Sequence, residues 1–169
     1  AYILVVDDEP DIRRLLREIL EDENYEVASA EDGAAARTAF KQRRPDLVLL
    51  DIWMPDCDGI TLLKEWFKNG TPEVPVIMIS AIDEKESIAR CIELGADDYL
   101  PKPFDPLILQ ARLGASLARK RLREREQLYQ KSLVRELEIG REIQAHFLPA
   151  TLPELPGYEL AARLRSARM

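Results

Sequence analysis

The sequence predicts an α/β fold in which a five-stranded parallel sheet is flanked by five helices. Leu47–Leu50 are four consecutive apolar residues that end at Asp51, a pattern typical of a strand buried on both faces of a parallel sheet. Five strand-like segments alternate with amphipathic segments, which indicates β-α-β units with right-handed crossovers. Polar residues follow several of these strands, at the sheet edge where open α/β sheets bind ligands.

The five strands differ in hydrophobicity, and this difference predicts their order. Tyr2–Val6 and Val76–Ile79, which ends at Ser80, are continuous apolar runs like Leu47–Leu50, and we place all three strands in the middle of the sheet. Tyr25–Ala30 and Asp97–Leu100 are shorter or more polar, which suits edge strands. The predicted order is therefore 2-1-3-4-5, with the first and third strands adjacent at the topological switch point.

Apolar residues at three- and four-residue spacing predict the five helices. The first expected helix begins at Pro10, the second covers Gly33–Arg43 and the third runs from Ile60 to Asn69-Gly70. The fourth covers about Glu84–Leu94, and the fifth runs from Pro106 to about Leu148. Proline and glycine mark several of the ends, because neither residue continues a helix well. Each of the first four helices would connect two parallel strands.

Composition restricts the class of protein. The formal net charge is −7, which disfavours nonspecific nucleic-acid binding. No apolar run approaches the roughly 18 residues of a membrane span, and no signal peptide opens the chain. Cys57 and Cys91 form no C-x-x-C pair and His146 is the single histidine, so we expect free thiols, a cytoplasmic location and no zinc. The missing initiator Met and the end at Met169 suggest a trimmed chain.

Side chains able to carry chemistry follow four of the strands. Asp7 and Asp8 follow the first strand, Asp51 ends the third, Ser80 ends the fourth and Lys102 follows the fifth. Because the carboxyl ends of parallel strands meet at one edge of a sheet, we expect one site. Three converging carboxylates would repel and raise one another's pKa, and a hard dication such as Mg²⁺ removes that conflict.

Four motifs give these positions a family context. The four motifs are V-V-D-D-E-P, L-L-D-I-W-M-P-D-C-D-G, I-S-A and G-A-D-D-Y-L-P-K-P-F. With them, residues 1 to about 118 resemble the receiver domain of two-component response regulators, which is flavodoxin-like. The resemblance implies that Asp51 accepts a phosphoryl group from a histidine kinase or phosphotransfer protein. It also implies that Asp7 and Asp8 hold Mg²⁺, that Ser80 contacts the phosphoryl oxygens and that Lys102 pairs with the acid.

The resemblance also implies a set of metal ligands. Asp8, Asp51 and the main-chain carbonyl of Trp53 are the expected direct ligands, and Asp7 would act through water. The Trp53 side chain is bulky where many receivers carry a smaller residue. We predict that it shields the acyl phosphate on Asp51 from water.

Tyr99 is predicted to report the state of the site. A phosphoryl group would draw Ser80 inward and leave room for the Tyr99 ring to rotate from solvent toward the core. The alternative is that Tyr99 is an edge-strand aromatic that only covers the core. The Lys102-Pro103 bond is a candidate cis peptide by the same resemblance.

The C-terminal segment predicts a long helix with an irregular apolar stripe. The stripe consists of Leu113, Leu117, Leu122, Leu128, Leu133, Leu137, Ile143 and Phe147. Like charges at i,i+4, such as Arg121/Arg125 and Glu138/Glu142, disfavour an isolated helix. A parallel two-chain coiled coil would bury the stripe, so we expect a homodimer through this helix. A solvated linker helix is the alternative.

The expected domains are a receiver at 1–118, a helical or coiled-coil linker at 119–148 that continues the fifth helix, and the start of an output domain at 149–169. Residues 133–168, beginning L-V-R-E-L-E-I-G-R-E-I-Q-A-H-F-L-P, resemble the entrance to PPM-type serine/threonine phosphatase domains of the sporulation and stress-regulator kind. The acidic metal-binding motif of that family is absent from these residues. We therefore expect no phosphatase activity in this chain.

The favoured interpretation is a phosphorylation switch whose receiver controls a dimeric helix and, through it, a phosphatase-type output. The chain itself would at most catalyse its own phosphorylation and dephosphorylation. A haloacid-type phosphohydrolase would need a second Asp two residues after Asp51, where Trp53 stands. A constitutive dimerising scaffold with an unused acidic pocket remains the alternative. No helix-turn-helix or basic recognition helix follows the receiver, so we expect neither a nucleic-acid nor a membrane partner.

Overall fold

The computed structural model describes residues 1–67, 74–81 and 85–146, together with Pro156. The strands are β1 Tyr2–Val6, β2 Glu26–Ala30, β3 Leu47–Asp51, β4 Val76–Ser80 and β5 Asp98–Pro101. The helices are α1 Pro10–Asp22, α2 Gly33–Gln42, α3 Gly59–Trp66, α4 Lys85–Glu93 and α5 Pro106–His146. The chain divides into two units, Ala1–Glu124 and Arg125–Met169.

The predicted sheet is confirmed. All five strands are parallel, and their order is β2-β1-β3-β4-β5. In the register, Val6 lies beside Leu50 and Asp51 lies beside Ile79, so β1, β3 and β4 end at nearly the same level. This alignment places the residues that follow the central strands at one edge.

Burial on both faces explains why β3 is apolar throughout. Val48 and Leu50 belong to one hydrophobic cluster, and Leu47 and Leu49 belong to a second. Successive side chains of a strand point to opposite faces, so each face of the sheet has its own core. Asp51 ends this strand at 4% exposure, which removes its carboxylate almost completely from water.

Local capping fixes the helix that follows the acceptor strand. The Asp58 carboxylate accepts a hydrogen bond from Ile60 N at 2.9 Å and caps the start of α3. Gly59 N donates to Ile52 O at 2.9 Å, so the chain turns back sharply after β3. A Cβ at Gly59 would lie 2.0 Å from the main-chain oxygen of Asp51. Any residue other than glycine would therefore force the backbone of this turn to move.

Element ends differ from the predictions by one residue at several places. β5 covers Asp98–Pro101, one residue later than predicted, because the pairing continues with Lys102 N donating to Ser80 O at 2.7 Å. The Lys102-Pro103 peptide is cis. The predicted helix end at Asn69-Gly70 and the predicted start at Glu84 lie outside the described residues.

The first part of α5 is held firmly in the first unit. Leu109, Leu113 and Leu117 are at most 5% exposed and lie in the second core cluster. Ion pairs follow them: Lys120 Nζ lies 2.8 Å from Asp46 Oδ1. Thus part of the predicted stripe is buried within the same chain.

The second unit is described at 125–146, where it is helical, and at Pro156. Large apolar side chains are exposed along this part of α5, namely Leu128, Tyr129, Leu133, Val134, Leu137, Ile139 and Ile143. Phe147, the predicted helix end at Leu148 and the rest of 149–169 lie outside the described residues. The predicted domain limits at 1–118, 119–148 and 149–169 stay predictions.

Candidate functional site

The ends of four neighbouring strands supply the side chains of the site. Asp7 follows β1, Asp51 ends β3, Ser80 ends β4 and Lys102 follows β5. Asp7, Asp51 and Ser80 are 1%, 4% and 0% exposed, in that order. Polar side chains are seldom buried to this degree unless they are paired or bind an ion. The sequence therefore placed these residues at the correct edge of the sheet.

Lys102 joins two of the buried carboxylates. Its Nζ lies 2.9 Å from Asp51 Oδ2 and 2.8 Å from Asp7 Oδ2. The lysine side chain is only 11% exposed, so this ammonium is itself largely removed from water. One cation between two carboxylates leaves a net negative charge in the pocket. The predicted pairing of Lys102 with Asp51 is present as a hydrogen-bonded contact.

Three carboxylates form a group that suits a divalent cation. Asp7, Asp8 and Asp51 each offer an oxygen within 4.8 Å of the others. Although Asp7 Oδ2 lies near the ammonium, it is buried and accepts no hydrogen bond with satisfactory geometry. A buried acceptor without a donor is costly, and a hard cation with oxygen ligands would satisfy it. The donor set therefore fits Mg²⁺.

Burial shifts the ionisation of the pocket. Burial raises the pKa of the Asp51 carboxyl, and the hydrogen bond from Lys102 only partly opposes this rise. Burial likewise raises the pKa of Asp7, again against the effect of Lys102. For Lys102, burial alone would lower the pKa, but its close contacts with the Asp7 and Asp51 carboxylates raise it above the ordinary value. The lysine thus stays charged in this pocket.

The backbone after Asp51 also contacts the acceptor. Trp53 N donates to Asp51 Oδ1 at 3.3 Å, so among the described residues each oxygen of this carboxylate has a hydrogen-bond donor. The Trp53 side chain is 60% exposed. The role of its main-chain carbonyl as a metal ligand stays a prediction.

Tyr99 lies in β5 and is 6% exposed, packed in the first core cluster. The ring thus already has the buried placement that we predicted for the phosphorylated state. This burial also suits the alternative, in which the ring simply covers the core. The switch role of Tyr99 and Ser80 stays a prediction.

Two neighbours of the pocket were missed by the sequence reasoning. Glu9 Oε1 lies 3.1 Å from Lys102 Nζ, and Arg13 Nη1 donates to the main-chain oxygens of Asp7 and Asp8. Arg13 could have been noticed, because a positive charge in the first turn of a helix opposes the helix dipole and needs a local partner. Glu9 gave no such signal, since an acid is favourable there.

Together, the fold and the pocket define a doubly wound α/β domain with an acidic, lysine-containing pocket at its switch point. The chain matches the family model of the response regulator receiver domain over residues 3–114. It belongs to the response regulator receiver domain family, whose members in two-component systems are phosphorylated by histidine kinases and generally use Mg²⁺ at an acidic pocket.

Known proteins resemble this chain mainly in the receiver. It is 44% identical over 117 residues to the probable transcriptional regulator ycf27 of Porphyridium aerugineum, covering 69% of this chain and 48% of that protein. It is 37% identical over 182 aligned positions to the nitrogen assimilation regulatory protein NtrX of Azorhizobium caulinodans, covering 96% of this chain and 39% of that protein. The chain thus spans about half the length, or less, of these curated relatives.

Solved structures give the same picture. A crystal structure of Brucella abortus NtrX in complex with ATP matches 74% of this chain and 28% of that chain, with 42% identity and a TM-score of 0.70. The BeF₃-activated receiver domain of Klebsiella pneumoniae RstA matches 69% of this chain and 98% of that chain, with 31% identity and a TM-score of 0.65. Within the described residues, no helix has both the length and the apolar character needed to cross a bilayer.

Proposed function

We propose that Asp51 accepts a phosphoryl group from a histidine kinase or phosphotransfer protein in a Mg²⁺-dependent reaction. The observation that carries this proposal is the buried Asp51 carboxylate, with the Lys102 ammonium at 2.9 Å and the Asp7 and Asp8 carboxylates beside it. A buried nucleophile next to a fixed cation and a cation-binding group is what phosphoryl transfer requires, since this reaction depends on alignment and charge neutralisation.

The transfer step is a substitution at phosphorus. A carboxylate oxygen of Asp51 forms the new P–O bond while the P–N bond of the phosphohistidine breaks, and the electron pair of that bond stays on the imidazole. Lys102 neutralises negative charge on the phosphoryl oxygens, and the Ser80 hydroxyl donates to one of them. Mg²⁺, held by Asp8, Asp51 and the Trp53 carbonyl with Asp7 through water, would supply the remaining positive charge.

The signal then leaves the pocket through β4 and β5. Ser80 ends β4, and Lys102 N donates to its main-chain oxygen, so a shift of Ser80 toward the phosphoryl group pulls on the strand that carries Tyr99. Such a switch biases two existing conformations and does not create a new one. Full reversal from 1:99 to 99:1 requires about 5.5 kcal/mol of differential binding.

The direct test is chemical phosphorylation by acetyl phosphate with Mg²⁺, read by intact mass. We expect the chain to gain one phosphoryl group and the Asp51→Asn variant to gain none. The matched control is Asp11→Asn, because Asp11 is an exposed acid paired with Arg14 on α1. A constitutive scaffold would take up no phosphoryl group with or without Asp51, and that result would reject the proposed function.

We also propose that the exposed apolar face of α5 pairs with that of a second copy in a parallel coiled coil. The supporting feature is the row of large apolar side chains that includes Leu128 and Leu137, 68% and 65% exposed. A single helix carrying this face would gain little stability alone, whereas pairing would bury it. A second copy presents the same face in the same register, as closed twofold symmetry requires.

Light scattering measures this assembly. We expect a dimer mass that Leu137→Glu reduces toward the monomer, while Lys131→Glu, at an exposed position about a third of a turn away from Leu137 on the same helix, leaves it unchanged. Measurements with and without Mg²⁺ and beryllium fluoride then show whether phosphorylation controls pairing. A monomer mass under all conditions would reject the dimer and leave the proposed phosphorylation intact.

For the output we propose a PPM-type phosphatase domain, supported by the sequence at 133–168. A transcriptional output is the second candidate, because the relative ycf27 is named a probable transcriptional regulator and the relative NtrX is named a nitrogen assimilation regulatory protein. Reading any coding sequence beyond codon 169 separates them. An acidic metal-binding strand supports the first, and a helix-turn-helix supports the second.

We propose a cytoplasmic location on the basis of the free thiols at Cys57 and Cys91.

A further inference from the structure

Arg13 donates hydrogen bonds to main-chain oxygens, and not to carboxylates, of the acidic cluster formed by Asp7, Asp8 and Asp51. Its Nη1 donates to the main-chain oxygen of Asp7 at 2.7 Å and to that of Asp8 at 2.8 Å. Its side chain is 17% exposed, and Nη2 lies 3.8 Å from Glu31 Oε2. One guanidinium nitrogen therefore holds two successive peptide groups of the loop between β1 and α1.

We propose that Arg13 is a positioning residue for the Mg²⁺ site, an inference that rests on the proposed function. The direction of each Cα–Cβ bond follows from the orientation of its neighbouring peptide planes. By fixing the carbonyls of Asp7 and Asp8, Arg13 fixes the directions in which their carboxylates leave the backbone. Partners of this kind orient metal ligands without binding the metal.

The choice of carbonyl acceptors matters for the cation. An arginine bound to a carboxylate oxygen would occupy a lone pair that Mg²⁺ needs and would compete with the ion. Arg13 instead uses main-chain oxygens, so the carboxylate oxygens of Asp7, Asp8 and Asp51 remain directed at one another. Asp7 Oδ1 also accepts from Glu9 N at 2.9 Å, which holds the same turn from the other side.

The position of Arg13 supports a local role. It lies in the first turn of α1, where the helix dipole disfavours a positive charge. The two short, charge-assisted hydrogen bonds to carbonyls offset that cost. Two other arginines of α1 differ: Arg14 pairs with Asp11, and Arg17 donates to Ser29 Oγ, neither of which belongs to the cluster.

The experiment measures Mg²⁺ binding by isothermal titration calorimetry with MgCl₂. Arg13→Met keeps most of the aliphatic stem and removes the Nη1 group that donates both hydrogen bonds. We expect its Mg²⁺ dissociation constant to rise about 10-fold or more, the usual effect of losing such a partner. Arg14→Met, one residue further along the same helix, is the matched control and should bind Mg²⁺ as wild type does.

A second measurement distinguishes positioning from general stability. With acetyl phosphate, we expect the Mg²⁺ concentration for half-maximal phosphorylation to rise by the same factor in Arg13→Met. At saturating Mg²⁺ the rate should return to within about twofold of wild type, since the nucleophile and lysine are unchanged. A purely structural role would lower the melting temperature without Mg²⁺ and leave the Mg²⁺ dissociation constant of the folded protein unchanged.

The outcomes separate this inference from the proposed function. If wild type binds no Mg²⁺ and takes up no phosphoryl group, the proposed function fails. If wild type binds Mg²⁺ and Arg13→Met binds it equally well, only the positioning role of Arg13 is overturned. Should Arg13→Met not fold, Arg13→Gln decides, because its shorter neutral side chain should also weaken Mg²⁺ binding several-fold, and wild-type affinity in that variant would overturn the inference.

Discussion

Gly59 lets the chain pass directly over the end of the acceptor strand, and Gly59→Ala should therefore damage both stability and phosphorylation. The added Cβ would lie 2.0 Å from the main-chain oxygen of Asp51 and 3.1 Å from Ile52 Cα. Both neighbours are backbone atoms, so no side-chain rotation can relieve the contact. Restoring an ordinary separation means moving the start of α3 away from Asp51 by at least about 1 Å.

The two expected effects have different sizes. Overpacking of this kind costs about 1–3 kcal/mol of unfolding free energy. Helix propensity alone would favour alanine by about 1 kcal/mol at a helical glycine, so the two arguments predict opposite signs. A displacement of about 1 Å at a reacting group can lower its rate about 100-fold. We therefore expect Gly59→Ala to be destabilised and to phosphorylate about 100-fold more slowly than wild type.

Urea unfolding and acetyl phosphate phosphorylation at saturating Mg²⁺ measure these two effects. Gly114→Ala is the matched control: it lies within α5, and a Cβ there meets nothing within 4 Å. This control should gain about 1 kcal/mol and phosphorylate normally. If Gly59→Ala were as stable and as fast as wild type, the close approach would not determine the position of Asp51.

Two further predictions concern Asp46 and Trp53. Burial alone would raise the pKa of Asp46, but hydrogen bonds from Lys120 and a backbone N–H lower it below its ordinary value. A lowered folded-state pKa adds stability above about pH 4 and loses it as the pH falls through the folded-state value. Asp46→Asn should thus lower the unfolding free energy at pH 7, and the loss should be at most about 1 kcal/mol because the carboxylate is partly exposed. Urea unfolding at acid pH should show a smaller loss. An equal loss at both pH values would contradict this prediction. Trp53→Asn should shorten the lifetime of the phosphorylated chain, followed by intact mass after acetyl phosphate is removed, and an unchanged lifetime would show that the indole does not shield Asp51.

The sequence predicted the sheet and most of the pocket because both depend on local patterns. The four apolar residues before Asp51 required burial on both faces, and a strand end then placed the carboxylate at the ligand-binding edge. The contacts of Glu9 and Arg13 were not predictable in the same way. Each depends on where a long side chain turns at the end of a loop, and periodicity does not specify that direction.

The apolar stripe of α5 shows a different limit. From the sequence, Leu117 and Leu128 belong to one irregular apolar stripe, which the coiled-coil hypothesis buries against a second copy. In the structure, Leu117 is 5% exposed in the receiver core, whereas Leu128 is 68% exposed. Periodicity indicates that a face needs burial but does not say whether the same chain or another supplies the partner. The ion pair of Lys120 with Asp46 lies just beyond Leu117, so the surface available to a second copy begins after these residues. Variants intended to test pairing should therefore be placed at exposed stripe residues beyond Lys120, such as Leu122 or Leu128, because changes at the buried Leu113 or Leu117 would destabilise the receiver core instead.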